Sequence, residues 1–324
     1  LSLHDALPIW WAVLGIDVIR ASWKARRRLL MRRKLLSVTT IVLVVLGLGV
    51  IAMPSVFQAR AAAAQSSVVM RSEREVSGWS NQRTEGKLKE ARAYNRALAA
   101  HGQYIFGETR DPFTDSTGSV SDKAYESALD TGDGVMGSIV IPKIGVNLPI
   151  YHGTSESVLE LGAGHLYGSS LPVGGADTHT VITGHRGLVK ALMFTRLDEL
   201  KPGDVFRITV MGKTLGYRID RISVIEPSDV SKLRIVTGED RVTLMTCTPY
   251  GVNTHRLLVS ALRADIPAQT STSMGNGLCP LPAPVLMMYA LALLGAPLIL
   301  QRPIEVSRHS SGVMIVHAHG RVSK

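Results

Sequence analysis

Two cysteines, Cys247 and Cys279, are all that 324 residues contain, so at most one intramolecular disulfide can form and no disulfide framework holds the fold. Cys279 stands among Pro280, Pro282 and Pro284 at the edge of an apolar run that reads as a membrane boundary, and a bond from there to Cys247 is not expected. An exported domain without disulfides fits a bacterial envelope better than a eukaryotic secretory route. Aromatic content is also low, at 5%, and two long apolar runs supply part of the 45% hydrophobic fraction. No internal repeat, phosphate-cradling glycine pattern or dinucleotide fingerprint occurs. No His, Cys, Asp and Glu set shows zinc-ligand spacing inside the domain, and His317 and His319 form a lone His-x-His pair in the tail. The expectation is therefore an activity without metal or cofactor.

A formal charge of +10 raises nucleic acid or a membrane surface as partner. Its distribution decides between them. Residues 1–34 carry eight basic side chains against two acidic, and residues 301–324 carry four against one. The stretch between holds 24 basic against 23 acidic side chains. A basic excess confined to the flanks leaves no footprint for nucleic acid.

The chain reads as seven segments. Residues 1–34 form a basic cytoplasmic lead whose first positions show no clear pattern. Residues 35–57 are uncharged and long enough to cross about 30 Å of hydrocarbon, and the basic cluster before them places the N-terminus in the cytoplasm. Ala59-Arg60-Ala61 offers a signal-peptidase site, but an apolar run this long argues for a retained anchor. Residues 58–135 combine a helical segment with a loop. The helix is predicted over residues 61–100, with Leu88, Ala91, Tyr94, Asn95 and Leu98 on one face, and residues 104–133 form a Gly/Ser/Thr/Asp-rich stretch holding Asp111-Pro112-Phe113. By residue type alone that triplet is a turn.

Residues 136–264 are dominated by β signals. Strands are expected at 137–141, 146–151, 178–183, 205–210, 215–219, 222–225, 241–247 and 257–262, with short helices at 156–161 and 188–200. Seven or eight short strands with few helices predict a mostly β fold, a closed or nearly closed barrel. Residues 265–282 read as a linker, 283–300 as a second uncharged span interrupted by Pro297, and 301–324 as a basic cytoplasmic tail. Two spans with basic residues on the same side hold residues 58–282 outside the cell.

Within the barrel, Cys247 ends one apolar run and Arg256 heads the next, joined by Pro249, Tyr250, Gly251 and Asn253. Such a hairpin sets Arg256 beside Cys247, where a guanidinium favours the thiolate and can hold an oxyanion. A buried structural cysteine beside a solvated arginine is the equal alternative on spacing alone. A nucleophilic thiol needs a proton carrier that titrates near neutrality. His185 is best placed, past the end of a buried strand and between Gly184 and Gly187, and His255, adjoining Arg256, is its rival. His179 belongs at the opposite end of the barrel, and the remaining histidines read as surface or packing residues.

The stretch TLMTCTPYGVNTHRLLVSA resembles the catalytic hairpin of sortases, and TCTPYGVNTHRLLV the class C, pilin-assembling branch. LPIYHGTSESVLELGAGHLYGSSLPVGG, Val181 to Gly187, residues 197–204, Tyr94-Asn95 and the two flanking spans are also similar to that branch. The likeness covers roughly residues 85–263. It departs at Ser260-Ala261, where the pattern carries Arg-Gly, a difference expected on the solvent side. The resemblance implies a sortase-like closed barrel of about eight strands with an N-terminal helical segment and two flanking transmembrane helices. It further implies a cysteine transpeptidase in which Cys247 is the nucleophile, His185 the proton donor and acceptor, and Arg256 the group that steadies the substrate carbonyl. It makes Asp111, Pro112 and Phe113 a lid over the site. The implied partners are pilin subunits or surface proteins bearing LPxTG-like sorting signals and an accepting lysine amine, at the outer face of a Gram-positive cell membrane. Alternatives are anchoring of proteins to the cell-wall peptide, cysteine proteolysis, and a non-catalytic adhesin or scaffold.

Overall fold

The computed structural model describes residues 7–101, 103 and 122–266. The expected lid triplet, Cys279, the second span and the basic tail lie outside these residues, as does the linker beyond residue 266. The chain divides into two compact units, of which the second begins at Met53. Among the described residues of the first unit there is only the N-terminal stretch of helix α1 (Leu7–Ser77). From Ser22 onward α1 reaches a mean hydropathy of 2.7 in its most apolar stretch, enough in length and composition to cross a membrane. Leu35, Leu36, Leu43 and Leu46 are exposed along it.

In the second unit the later turns of α1 lie against the barrel. Val69 and Val76 are buried, and Ser72 Oγ meets Thr131 Oγ1 at 3.2 Å. The helical reading of 61–100 is corrected here, because α1 stops at Ser77 and a new helix, α2 (Asn81–Ala100), begins after Gly78. Ser80 caps α2 by accepting from the Arg83 amide, so the chain turns between two helices instead of continuing one. The expected face of α2 is the buried one: Leu88 and Ala91 pack on the core, and Asn95 satisfies both the N–H and C=O of Leu171. A short helix, α3 (Lys123–Ser127), capped by Asp122, interrupts what the composition reads as loop.

Eight strands follow: β1 (Val135–Ile141), β2 (Val146–His152), β3 (Ala163–His165), β4 (Thr178–Thr183), β5 (Val205–Val210), β6 (Lys213–Ile225), β7 (Asp240–Thr248) and β8 (His255–Arg263). Helix α4 (Glu156–Leu161), with Ser155 as N-cap, precedes β3. They close into one barrel in the order β1-β2-β3-β4-β7-β8-β6-β5. The pairs β2–β3 and β4–β7 are parallel and the others antiparallel. Ile139, Ile141, Ile150, Phe206, Ile208, Tyr217, Val242, Leu244 and Val259 are buried in one cluster, as alternation along barrel strands requires.

Three readings of this region change. The helix expected over 188–200 is absent apart from a single 3-10 turn at Leu197–Glu199. There the backbone bonds outward, with Phe194 N–H donating to His185 O, and its apolar residues Ala191, Met193, Phe194 and Leu197 are buried in the core cluster. The strands expected at 215–219 and 222–225 are one strand, β6, bulged between Ile219 and Arg221. Ser260-Ala261 is not on the solvent side. Ser260 is buried opposite Thr243 and shares a 2.8 Å hydrogen bond with its hydroxyl, while Ala261 faces the core.

His165 and His179 lie inside this framework. His165 Nδ1 is 3.0 Å from Tyr125 Oη and Nε2 is 2.9 Å from Ser170 O. His179 Nε2 is 2.7 Å from Thr243 Oγ1 and Nδ1 is 2.8 Å from Arg234 O. Burial pushes both from the ordinary 6.5 down to about 4. Between those values the unfolded chain binds protons that the folded chain refuses, so stability falls as the pH falls. Carboxylates with lowered pKa, such as Glu239 beside Arg241, act in the same sense but only below their ordinary 4.5. Thermal unfolding in mild detergent, followed by circular dichroism, is therefore expected to weaken already between pH 6.5 and 5. A midpoint constant across that window would contradict the buried neutral histidines.

Candidate active site

β4 and β7 run parallel and in register from Thr178↔Asp240 to Thr183↔Met245. Parallel neighbours run toward the same rim, so His185, two residues past Thr183 at the end of β4, and Cys247, two residues past Met245 and still within β7, lie at one rim of the barrel. β7 then turns back as β8, and Cys247 pairs directly with Arg256. Directly opposed residues of an antiparallel pair share a face, with Cβ atoms about 5 Å apart. The hairpin expected from the spacing is thus present, and it brings the thiol and the guanidinium together. Both are buried, at 7% and 3% exposure. Arg256 Nη1 donates to the carbonyls of Asn253 and His255 at 3.0 and 2.9 Å, which fixes the orientation of its planar head.

His255 pairs with Thr248, one position from Cys247, and alternation turns it to the other face of the hairpin. Its Nε2 lies 3.2 Å from Glu226 Oε1 and its Nδ1 2.9 Å from Thr254 Oγ1. The rival imidazole is directed away from the thiol. His179 sits within β4, near the start of the parallel pair and away from the rim that carries Cys247.

The backbone that carries His185 is fastened link by link. Gly184 N–H donates to Met245 O at 3.1 Å, and Thr246 Oγ1 donates to Gly184 O at 2.7 Å. His185 O accepts from Phe194 N–H at 3.0 Å, and Gly187 N–H donates to Thr195 Oγ1 at 3.1 Å. Gly184 has to be glycine because a Cβ there would stand 2.8 Å from the Phe194 ring. Gly187 adopts a φ of +84°, against the ring of Tyr250. Burial lowers the His185 pKa from its ordinary 6.5, opposed by the negative charges of Glu156 and Glu160 on α4. The fold at this position therefore favours the neutral imidazole.

Arg186 was not singled out by sequence reasoning, although it stands inside the Gly184-His185-Arg186-Gly187 motif. Its side chain joins the histidine loop to the hairpin, with Nη1 donating to Thr248 Oγ1 at 3.1 Å and Nη2 to Asp198 Oδ2 at 2.6 Å. Among the described residues no group of three or more His, Cys, Asp and Glu could hold a metal ion.

A model of the sortase domain matches residues 139–264. Sortase D of Bacillus subtilis strain 168 is 32% identical over 170 residues, which span 52% of this chain and 77% of that protein. Among solved structures, sortase C-1 of Actinomyces oris is 45% identical with a TM-score of 0.52, covering 57% of this chain and 99% of that one. Sortase C of Streptococcus pneumoniae is 40% identical with a TM-score of 0.56, covering 62% of this chain and 97% of that one. A closed eight-stranded barrel with a cysteine and an arginine paired at its rim, matched at this identity over nearly the whole length of class C sortase structures, has one classification: the chain belongs to the sortase family.

Proposed function

We propose that this chain is a membrane-tethered cysteine transpeptidase that joins an LPxTG-like sorting signal to an amine. The observation that carries the reading is the in-register pair Cys247↔Arg256 beside the strand end bearing His185. His185, neutral at working pH, takes the proton of the Cys247 thiol. The sulfur attacks the carbonyl carbon between Thr and Gly of the signal, and the oxygen that gains charge is held by Arg256. As the C–N bond breaks, His185 returns its proton to the departing glycine amine, leaving a thioester on Cys247. An incoming amine attacks that thioester and gives its proton to His185. The sulfur leaves and takes that proton back from His185, which restores the starting pair, and one amide has been exchanged for another.

Streptococcus pneumoniae sortase C has pilin substrate specificity. By extension, the proposed acceptor here is a lysine side chain of a second pilin subunit and the product an isopeptide bond. The apolar α1 supports a tether with the barrel outside the cell. Holding enzyme and exported substrate on one surface raises their effective concentration. The lid role of Asp111, Pro112 and Phe113 is proposed on the resemblance. Near this segment Gln103 Oε1 accepts from Ile235 N–H at 2.6 Å, and Asp122 Oδ2 from the Tyr167 hydroxyl at 3.1 Å, so both flanks are fastened to the barrel unit.

Full-length protein in detergent, incubated with an LPxTG peptide, is expected to gain the mass of an acyl thioester on Cys247 and to release it as amide only when an amine is supplied. Release at the same rate into water alone would instead indicate a protease. Cys247→Ala and His185→Ala should each lower transfer by about 10³-fold or more, and Arg256→Ala by roughly 10²-fold. His255→Ala should stay within about threefold of wild type, and a larger loss there than at His185 would overturn the choice of base. Phe113→Ala should speed alkylation of Cys247 by iodoacetamide, whereas an unchanged rate would return the triplet to a simple turn.

A further inference from the structure

Arg186 has a set of contacts that the proposed chemistry does not use. It belongs to an irregular loop, yet its side chain is only 7% exposed. One prong of its guanidinium reaches Thr248, the residue after Cys247, and the other reaches Asp198. The guanidinium carbon lies 5.9 Å from the centre of the Tyr250 ring, on the turn of the same hairpin. Its Nε is buried and has no hydrogen-bond partner. The backbone bonds around His185 tie the loop to Met245, Thr246 and itself, all on or before the strand end. Arg186 is the side chain shown to carry the fastening past Cys247 into the turn.

We propose that Arg186 is a positioning residue, a two-pronged latch that holds the His185 loop against the Cys247 hairpin and so sets the alignment of imidazole and thiol. The proposal rests on the reading of Cys247 and His185 as the reacting pair. Its outer anchor is rigid, since Asp198 lies in the 3-10 turn whose Leu197 is fully buried, with Leu200 buried beside it. Asp198 itself is half exposed, so its charge alone contributes little and the burial of the fork against Thr248 and Tyr250 has to supply the hold. Two acceptors on separate segments need a planar group with donors pointing two ways, which a lysine ammonium on a flexible stem does not provide. Proton transfer between thiol and imidazole depends steeply on their separation. A latch one residue from each partner controls it directly.

The test compares Arg186→Lys, Arg186→Met and Thr248→Val in the full-length protein in detergent. It reads single-turnover acylation by an LPxTG peptide, KM, Cys247 alkylation by iodoacetamide and the thermal midpoint. Arg186→Met and Arg186→Lys should both slow acylation by about 10- to 100-fold with KM within twofold. Thr248→Val should slow it less, and the double variant Arg186→Met with Thr248→Val should be no slower than Arg186→Met alone. A wild-type rate in Arg186→Lys would overturn the proposal, as would a loss in Arg186→Met no larger than its loss of folded protein. Should Arg186→Met not fold, Arg186→Lys and Thr248→Val decide. If the wild type forms no thioester, the transpeptidase reading fails. The latch is then judged on alkylation, where a several-fold slower reaction in Arg186→Lys supports it and an unchanged rate refutes it.

Discussion

The parallel pairing of β4 with β7 is the constraint from which the site follows. Antiparallel neighbours would place the C-terminal ends of these two strands, and with them His185 and Cys247, at opposite rims. Parallel neighbours require a long crossover, and here that crossover contains β5 and β6, which go on to close the barrel. One arrangement therefore both seals the core and brings two reactive strand ends together. A slip of one residue in β7 would turn Cys247 to the other face and bring the wrong neighbours beside it. The seven consecutive buried residues Arg241 to Cys247 make that slip costly.

Polar groups at the far end of the same strands hold the register. Arg241, 4% exposed, is gripped by Asp220 through two hydrogen bonds of 2.8 and 3.0 Å and by Glu239 at 2.7 Å. Thr243 stands between His179 and Ser260, so a hydroxyl and an imidazole join β4, β7 and β8 across their shared layer. Removing one member of such a set leaves a buried donor or acceptor unmet, which is a strong penalty against any other pairing. Specificity of register is thus concentrated away from the rim, where the chain leaves its strands and glycines are needed.

What could be read from the amino acids follows the range of the interactions. The hairpin of Cys247 and Arg256 is local, and an apolar run on each side of a turn-rich stretch was enough to set the two residues opposite each other. β4, β5 and α4 were legible for the same reason, with a proline, a glycine or a serine cap marking each boundary. β3 was not, because three residues carry no periodicity and their strand identity comes from neighbours β2 and β4. The stretch after His185 misled because apolar spacing in 188–200 imitates a helix. Its burial is dictated by the barrel wall, and Met193 even takes a positive φ of 41° that no helix would allow. Ser260 was misjudged because its partner, the Thr243 hydroxyl, lies 17 residues away on the neighbouring strand, where both side chains are buried. The contacts of Arg186 were hidden because its partners, Asp198 and Thr248, lie 12 and 62 residues away.

The electrostatics of the rim argue for one division of labour over another. Burial of His185 outweighs Glu156 and Glu160, so the folded state favours the neutral ring. On the proposed chemistry a neutral base accepts the thiol proton at the moment of attack, gaining a positive charge as the substrate oxygen gains a negative one, and then hands the proton on to the leaving amine. In the proposed tetrahedral intermediate the negative charge lies on the carbonyl oxygen of the substrate and the positive charge on the His185 imidazolium. In this proposal the negative charge falls to Arg256, whose Nη1 is oriented by the backbone carbonyls of Asn253 and His255. The division requires that the imidazole be held at the thiol and the cation at the oxygen. Strand pairing places Arg256 opposite Cys247 directly, whereas His185 depends on a loop restrained by both backbone and side-chain hydrogen bonds.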